Sequence, residues 1–180
     1  MNDVKNFGLY DSTFEKSSCG VGFLTRKDGK QTHELLVKGH EALCAVPHRG
    51  GMSAEGVGDG AGVSIDLSVT FFSRVVGASL APGEFGVGNF FLPNDKSQHV
   101  RAKKLIDEAL KAEGMITLIT RSVDVDDSVL RPAAIKYQLP IAQWIFAAPK
   151  GTRGAALEKR IHKALLSIES EAYIDEDLDG

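Results

Sequence analysis

The 180-residue chain is 43% hydrophobic, 7% aromatic and 25% charged, enough for one domain with a real core. Its formal net charge is −3 and its Lys and Arg residues are scattered, which excludes an electrostatic footprint for nucleic acid and a basic patch for a membrane surface. No apolar run approaches the roughly 18 residues that a membrane-spanning helix needs, and the first 18 residues lack the apolar core of a secretory signal, so a cytoplasmic protein is expected. Two cysteines, Cys19 and Cys44, make no disulfide framework and suit a reducing compartment.

Residues 1–18 are polar with scattered aromatics and show neither helical nor strand period, so they read as a leader outside the core. CGVGFLTR reads as a strand running to an Asp28-Gly29 turn. QTHELLVKGHEALCAV reads as a helix with Leu35, Leu36, Gly39, Leu43 and Val46 along one side, ended by Pro47. The glycine-heavy HRGGMSAEGVGDGAG leads to a short strand, VSID, and VTFFSRVVGASL reads as a helix stopped by Pro82-Gly83.

EFGVGNFFLP is the next strand. The helix after it has Asn94 as N-cap, Val100, Leu105, Ile106, Ala109 and Leu110 on one face, and Gly114 past its end. MITLITRSVDV and IAQWIFAA read as strands separated by a segment holding Pro132 and Pro140. AALEKRIHKALLSIESEA reads as a closing amphipathic helix, and the acidic tail 175–180 as a solvated end. Alternating strands and helices without an internal repeat define one compact α/β or α+β domain.

Cys19 stands directly before Gly20, where an unobstructed backbone suits a reactive thiol; the plainer reading is a small buried residue opening a strand. Cys44, between helical Leu43 and Val46, takes only that plainer reading. In PHRGGMSAEGVGDGAGV, glycines free backbone N–H groups to approach a ligand, and Arg49 supplies a forked cation for a carboxylate or a neighbouring thiolate. Gly58, Gly60 and Gly62 form G-x-G-x-G before a strand, without a Walker lysine, which excludes phosphate and dinucleotide loops. His33, His40, Cys44 and His48 share a short span, but Pro47 breaks the i, i+4 series and no fourth ligand stands at a familiar spacing, so no metal is expected.

Taken together, LYDSTFEKSSCGVGF, GHEALCAVPHRGG and GDGAGV resemble the start of the glutamate synthase large subunit, whose amidotransferase region is a class II, N-terminal-nucleophile domain. The resemblance continues more loosely through FGVGNFFLP, QWIFAAPKG and LEKRIHKALLSIE. It implies an α+β fold, the four-layer α/β/β/α sandwich of N-terminal-nucleophile hydrolases with mainly antiparallel sheets, here incomplete. It also implies residues 1–18 as a removable leader, 19–174 as a partial amidotransferase domain and 175–180 as an acidic tail.

By the same resemblance, Cys19 is the nucleophile that attacks the side-chain amide of L-glutamine, and Arg49 and Gly50 of the His-Arg-Gly triplet order the active-site loop or bind the substrate. A freed α-amino group, with an ordinary pKa of about 7.7–8.0, serves as general base where a peptide nitrogen does not. Ammonia then passes to a synthase domain and 2-oxoglutarate. FMN and an iron–sulfur cluster are expected on that domain or a partner, none on this chain, since two cysteines cannot ligate a four-cysteine cluster. The family's oxyanion hole is an Asn-Gly pair, followed by an aspartate that grips the glutamine amino group; the chain stops before that region and contains no Asn-Gly. The competing expectation is a catalytically silent assembly module, or a split subunit completed by a partner that supplies the oxyanion hole.

Overall fold

A computed structural model describes residues 20–45 and 60–175. The chain divides into two units, one up to Ile65 and one from Asp66, where length alone suggested one.

In the first unit, Arg26 holds the Asp28 carboxylate with two hydrogen bonds of 2.9 and 2.8 Å, and Gly29 closes the turn at φ 65° with its N–H on the Arg26 carbonyl. Helix α1 (His33–Cys44) starts at Thr32, whose hydroxyl accepts from the Leu35 N–H, so that one of the first turn's orphan donors is satisfied. Leu35, Gly39 and Leu43 recur at i, i+4 and i+8 as its half-buried side, while Leu36 is exposed and Val46 lies outside the described residues. The expected strands at 20–26 and 63–66 do not form. A strand exists only when its N–H and C=O groups meet a neighbouring ladder. Among the described residues neither segment has one, and Val21 and Phe23 are 95% and 91% exposed.

The second unit is built on a three-stranded sheet of order β1-β3-β2. Strands β1 (Phe85–Phe91), β2 (Ile116–Ser122) and β3 (Ile141–Ala147) pair antiparallel throughout, with an irregularity between Thr117 and Ile119. As the middle strand, β3 is covered on both faces, and Ala142 to Phe146 are buried without a break. The two-residue side-chain period then sorts it. Ala142, Trp144 and Phe146 join Leu92, Ile106, Leu110, Met115, Leu157 and Ala164 in the larger core, beneath helices α3 (Lys96–Ala112) and α5 (Ala155–Ile174). Ile145 points the other way and packs with Phe72 and Phe85 beneath helix α2 (Val69–Val76).

Capping chemistry sets the boundaries. The α2 helix ends at Gly77, left-handed at φ 74°, with its N–H on the Ser73 carbonyl. The expected stop at Pro82-Gly83 is instead the turn into β1, closed from the Glu84 N–H to the Ala81 carbonyl. The α3 N-cap is Asp95 in place of Asn94: its carboxylate accepts from the N–H groups of Ser97 and Gln98, while the Asn94 amide donates to the Gln138 carbonyl. At the far end, the N–H of Gly114 meets the Lys111 carbonyl and that of Met115 meets the Leu110 carbonyl, a Schellman closure that requires the positive φ of Gly114.

The buried face of α3 is Ala102, Ile106, Ala109 and Leu110, and Val100 is 67% exposed. Six residues before Ile106, Val100 is turned about 120° off that face at about 100° per residue. A 3-10 turn (Asp127–Val129) and a single helical turn, α4 (Pro132–Ile135), carry the chain from β2 to β3. Two arginines fasten α3 and α5 end to end: Arg160 donates to the Glu113 carbonyl at 2.9 Å, and Arg101 pairs with Asp175. No helix among the described residues is long and apolar enough to cross a membrane.

Candidate functional site

Cys19, Arg49 and Gly50, the residues singled out by sequence, lie outside the described residues, as do His48 and most of the glycine-rich loop. The structure describes what borders them. Gly20 to Phe23 follow Cys19 as open, exposed backbone, and α1 leads into the segment that carries Arg49.

Cys44 is exposed, not buried as expected, because it stands at the last position of a helix that contains no buried residue. Its Sγ lies 3.8 Å from Nε2 of His40, one helical turn earlier. Among the described residues no three His, Cys, Asp or Glu side chains gather as metal ligands.

The second unit brings together three polar residues that the sequence keeps apart. Asn89 and Arg121 are the cross-strand partners of Gln143 on either side of β3. The Gln143 amide donates to the Asn89 side-chain oxygen at 2.9 Å, and Arg121 Nε donates to the Gln143 oxygen at 2.9 Å. Gln143 is 8% exposed, so this row satisfies both ends of a buried amide. Arg121 also places its guanidinium 5.8 Å from the centre of the Phe71 ring, which ties α2 to β2. Sequence reading missed the row, since only strand register joins positions 89, 121 and 143. A guanidinium and two carboxamides orient and donate hydrogen bonds, but none of them is a nucleophile or a neutral-pH base.

The perturbed carboxylates tell the same story. Arg26 and then the Lys30 N–H hold Asp28 below the ordinary range, Lys38 does so for Glu34, and a serine hydroxyl followed by backbone N–H groups does so for Asp95 and Asp126. Each is an exposed partner in a turn, in a cap or, for Glu34, in an i, i+4 helix pair, with the local geometry of structure and not of a catalytic pair. Among the described residues these groups act as turn, cap and strand-register ties.

The family model of class II glutamine amidotransferases matches residues 19–178, so its first matched residue is Cys19. The chain belongs to the class II glutamine amidotransferases. Within that family it is similar to glutamate synthases. It is 31% identical over 170 residues to the glutamate synthase [NADPH] large chain of Bacillus subtilis, covering 93% of this chain and 10% of that one. Ferredoxin-dependent glutamate synthase 2 of Synechocystis sp. is 33% identical over 155 residues, 83% of this chain and 10% of that one. Glutamate synthase [NADH] of Saccharomyces cerevisiae is 31% identical over 145 residues, 76% of this chain and 7% of that one. The chain thus spans about a tenth or less of the length of these curated relatives.

Proposed function

We propose that this chain is the nucleophile-bearing part of a glutaminase that feeds ammonia to a glutamate synthase. The observation that carries the reading is a class II family match over nearly the whole chain whose first residue is a cysteine, Cys19. In this reading Cys19 is exposed as an N-terminal residue, and its α-amine takes the thiol proton as general base. The thiolate attacks the γ-carboxamide carbon of L-glutamine, the carbon–nitrogen bond breaks, and ammonia leaves with the proton from the α-ammonium group. Water then cleaves the γ-glutamyl thioester to give glutamate and the free thiol. Arg49 and Gly50 order the loop around the substrate.

The tetrahedral intermediate needs oxyanion donors, and loss of one donor typically costs about 100- to 1,000-fold in rate. The sequence holds no Asn-Gly pair, which supports a site completed by another segment or polypeptide. Flavin and iron–sulfur chemistry belongs, in the same reading, to the synthase partner that receives the ammonia and reduces the adduct with 2-oxoglutarate. In the same reading the finer fold is the four-layer sandwich, which is supported by the cover of α3 and α5 on one face of the described sheet; a second sheet would meet the other face beside α2, where Asn89 is exposed and Arg121 half-buried.

The test is glutamate release from L-glutamine by the chain that begins at Cys19, alone and with a polypeptide supplying the Asn-Gly segment. Activity that appears on mixing and vanishes in Cys19→Ser supports the reading. The alternative, a silent assembly module, predicts no activity in either mixture although the two polypeptides bind.

A further inference from the structure

Helix α5 separates its charges along its length. Between positions 150 and 163 the chain has Lys150, Arg153, Lys159, Arg160 and Lys163 against the single acid Glu158; between 164 and 180 it has no Lys or Arg, and Glu169, Glu171, Asp175, Glu176, Asp177 and Asp179. Its first turn carries Glu158, which suits a helix N-terminus, whereas its last turn carries Glu171 and no base, which does not suit a helix C-terminus. Lys159 and Lys163 add a like-charge pair at i, i+4. With Arg160, Glu113 and Ala156 they line an open surface notch of about 270 Å³. Arg160 is engaged with Glu113. Among the described residues, Lys159, Lys163, Glu169 and Glu171 form no ion pair, and all four are exposed.

The face of α5 opposite its core contacts has a matching order. Leu157, Ile161, Ala164 and Ile168 face the core, whereas Lys159, His162, Leu166, Glu169 and Tyr173 recur at alternating three- and four-residue spacing on the outer side. Leu166 and Tyr173 on that side are 50% and 86% exposed. An antiparallel pair of such helices, related by a two-fold axis, sets the basic half of each against the acidic half of the other and brings the two Leu166 positions to the centre. It also sets the basic half of each helix near the C-terminal half of the other, where cations are favourable.

We propose that the outer face of α5 is an interface for a second copy of this chain, formed by antiparallel α5 packing with Lys159 and Lys163 of one copy facing Glu169 of the other. This inference stands apart from the glutaminase reading.

The experiment is sedimentation equilibrium of the full chain across ionic strength, with two charge-reversed variants, K159E/K163E and E169K. The expected result is a dimer that weakens as salt rises, each variant alone monomeric, and a one-to-one mixture that associates again, because the reversed halves are complementary. Circular dichroism checks that both variants remain folded, which surface positions allow. A wild type that is monomeric at all concentrations, a dimer indifferent to salt and to both reversals, or a mixture that stays monomeric overturns the proposal. The two-fold also predicts a disulfide-linked dimer under mild oxidation when Leu166→Cys is made in a Cys19→Ser/Cys44→Ser background, and a purely monomeric product overturns it independently.

Discussion

The ring of Phe146 lies across Gly86, its directly opposite partner on β1. A Cβ at Gly86 stands 2.5 Å from Phe146 Cζ and 3.1 Å from Ile161 Cδ1, inside the packed core under α5. Interiors this dense leave the ring nowhere to go. Gly86→Ala is therefore expected to destabilise the second unit by about 1–3 kcal/mol, the usual cost of overpacking. Gly88 is the control, because the atoms nearest its Cβ belong to the ring edge of Phe90, which is only partly buried and has room to turn. Urea titration is expected to rank Gly86→Ala well below Gly88→Ala; equal midpoints contradict this account of the glycines.

Trp144, the chain's single tryptophan, is 1% exposed and donates its indole N–H to Asp107 on α3 at 2.9 Å. Thr117 on β2 donates to the same carboxylate oxygen at 3.0 Å. Asp107→Leu removes the acceptor and covers the indole with an apolar side chain, leaving a buried donor unmet at about 1–3 kcal/mol. Tryptophan fluorescence reads the same site during unfolding. A variant with an unchanged midpoint and spectrum rules out the hydrogen bond as a structural tie.

Gln143 gives the contrasting case. Its partners Asn89 and Arg121 reach water when released, Asn89 being exposed and Arg121 half-buried. Gln143→Met, similar in volume, is therefore expected to cost less than about 1.5 kcal/mol. Thermal melts of the Gln143→Met and Asp107→Leu variants decide between them: the account requires the second to fall further.

The core strands and the two long helices were legible in sequence because their apolar periods and punctuation agree, as in α3, where the Gly114 stop and Ile106, Ala109 and Leu110 all hold. Adjacent residues competing for one role were not legible. Asn94 and Asp95 are both good N-caps, and the long-range bond from Asn94 to Gln138 decides which one serves. Strand periodicity around GVGF and VSID misled for a related reason, since a strand is a property of two segments and the sequence shows one. The site divides the same way. Spacing and resemblance point to Cys19 and Arg49, whereas the Asn89, Gln143 and Arg121 row exists only through register across β3.

Acid titration tests the Asp95 cap. Its carboxyl is held below the ordinary 3.8 by the Ser97 hydroxyl and then by the N–H groups of Gln98 and Ser97. A depressed folded-state pKa means a stabilising contribution that is present above the unfolded value and lost as pH falls through the folded value. Wild type is expected to melt above Asp95→Asn at neutral pH, with the gap narrowing through the acid range. A gap that does not change with pH assigns the difference to something other than the charged cap.

In the proposed glutaminase Cys19 is the nucleophile that meets glutamine. Intact-mass measurement of the purified chain, before and after incubation with a diazo-ketone analogue of glutamine, tests it most directly. The account predicts that the form beginning at Cys19 gains one adduct, located on Cys19 by peptide mapping, that excess L-glutamine suppresses it, and that exposed Cys44 stays unmodified. Equal labelling of both thiols, or no adduct on a chain that begins at Cys19 and has the Asn-Gly polypeptide bound, contradicts it.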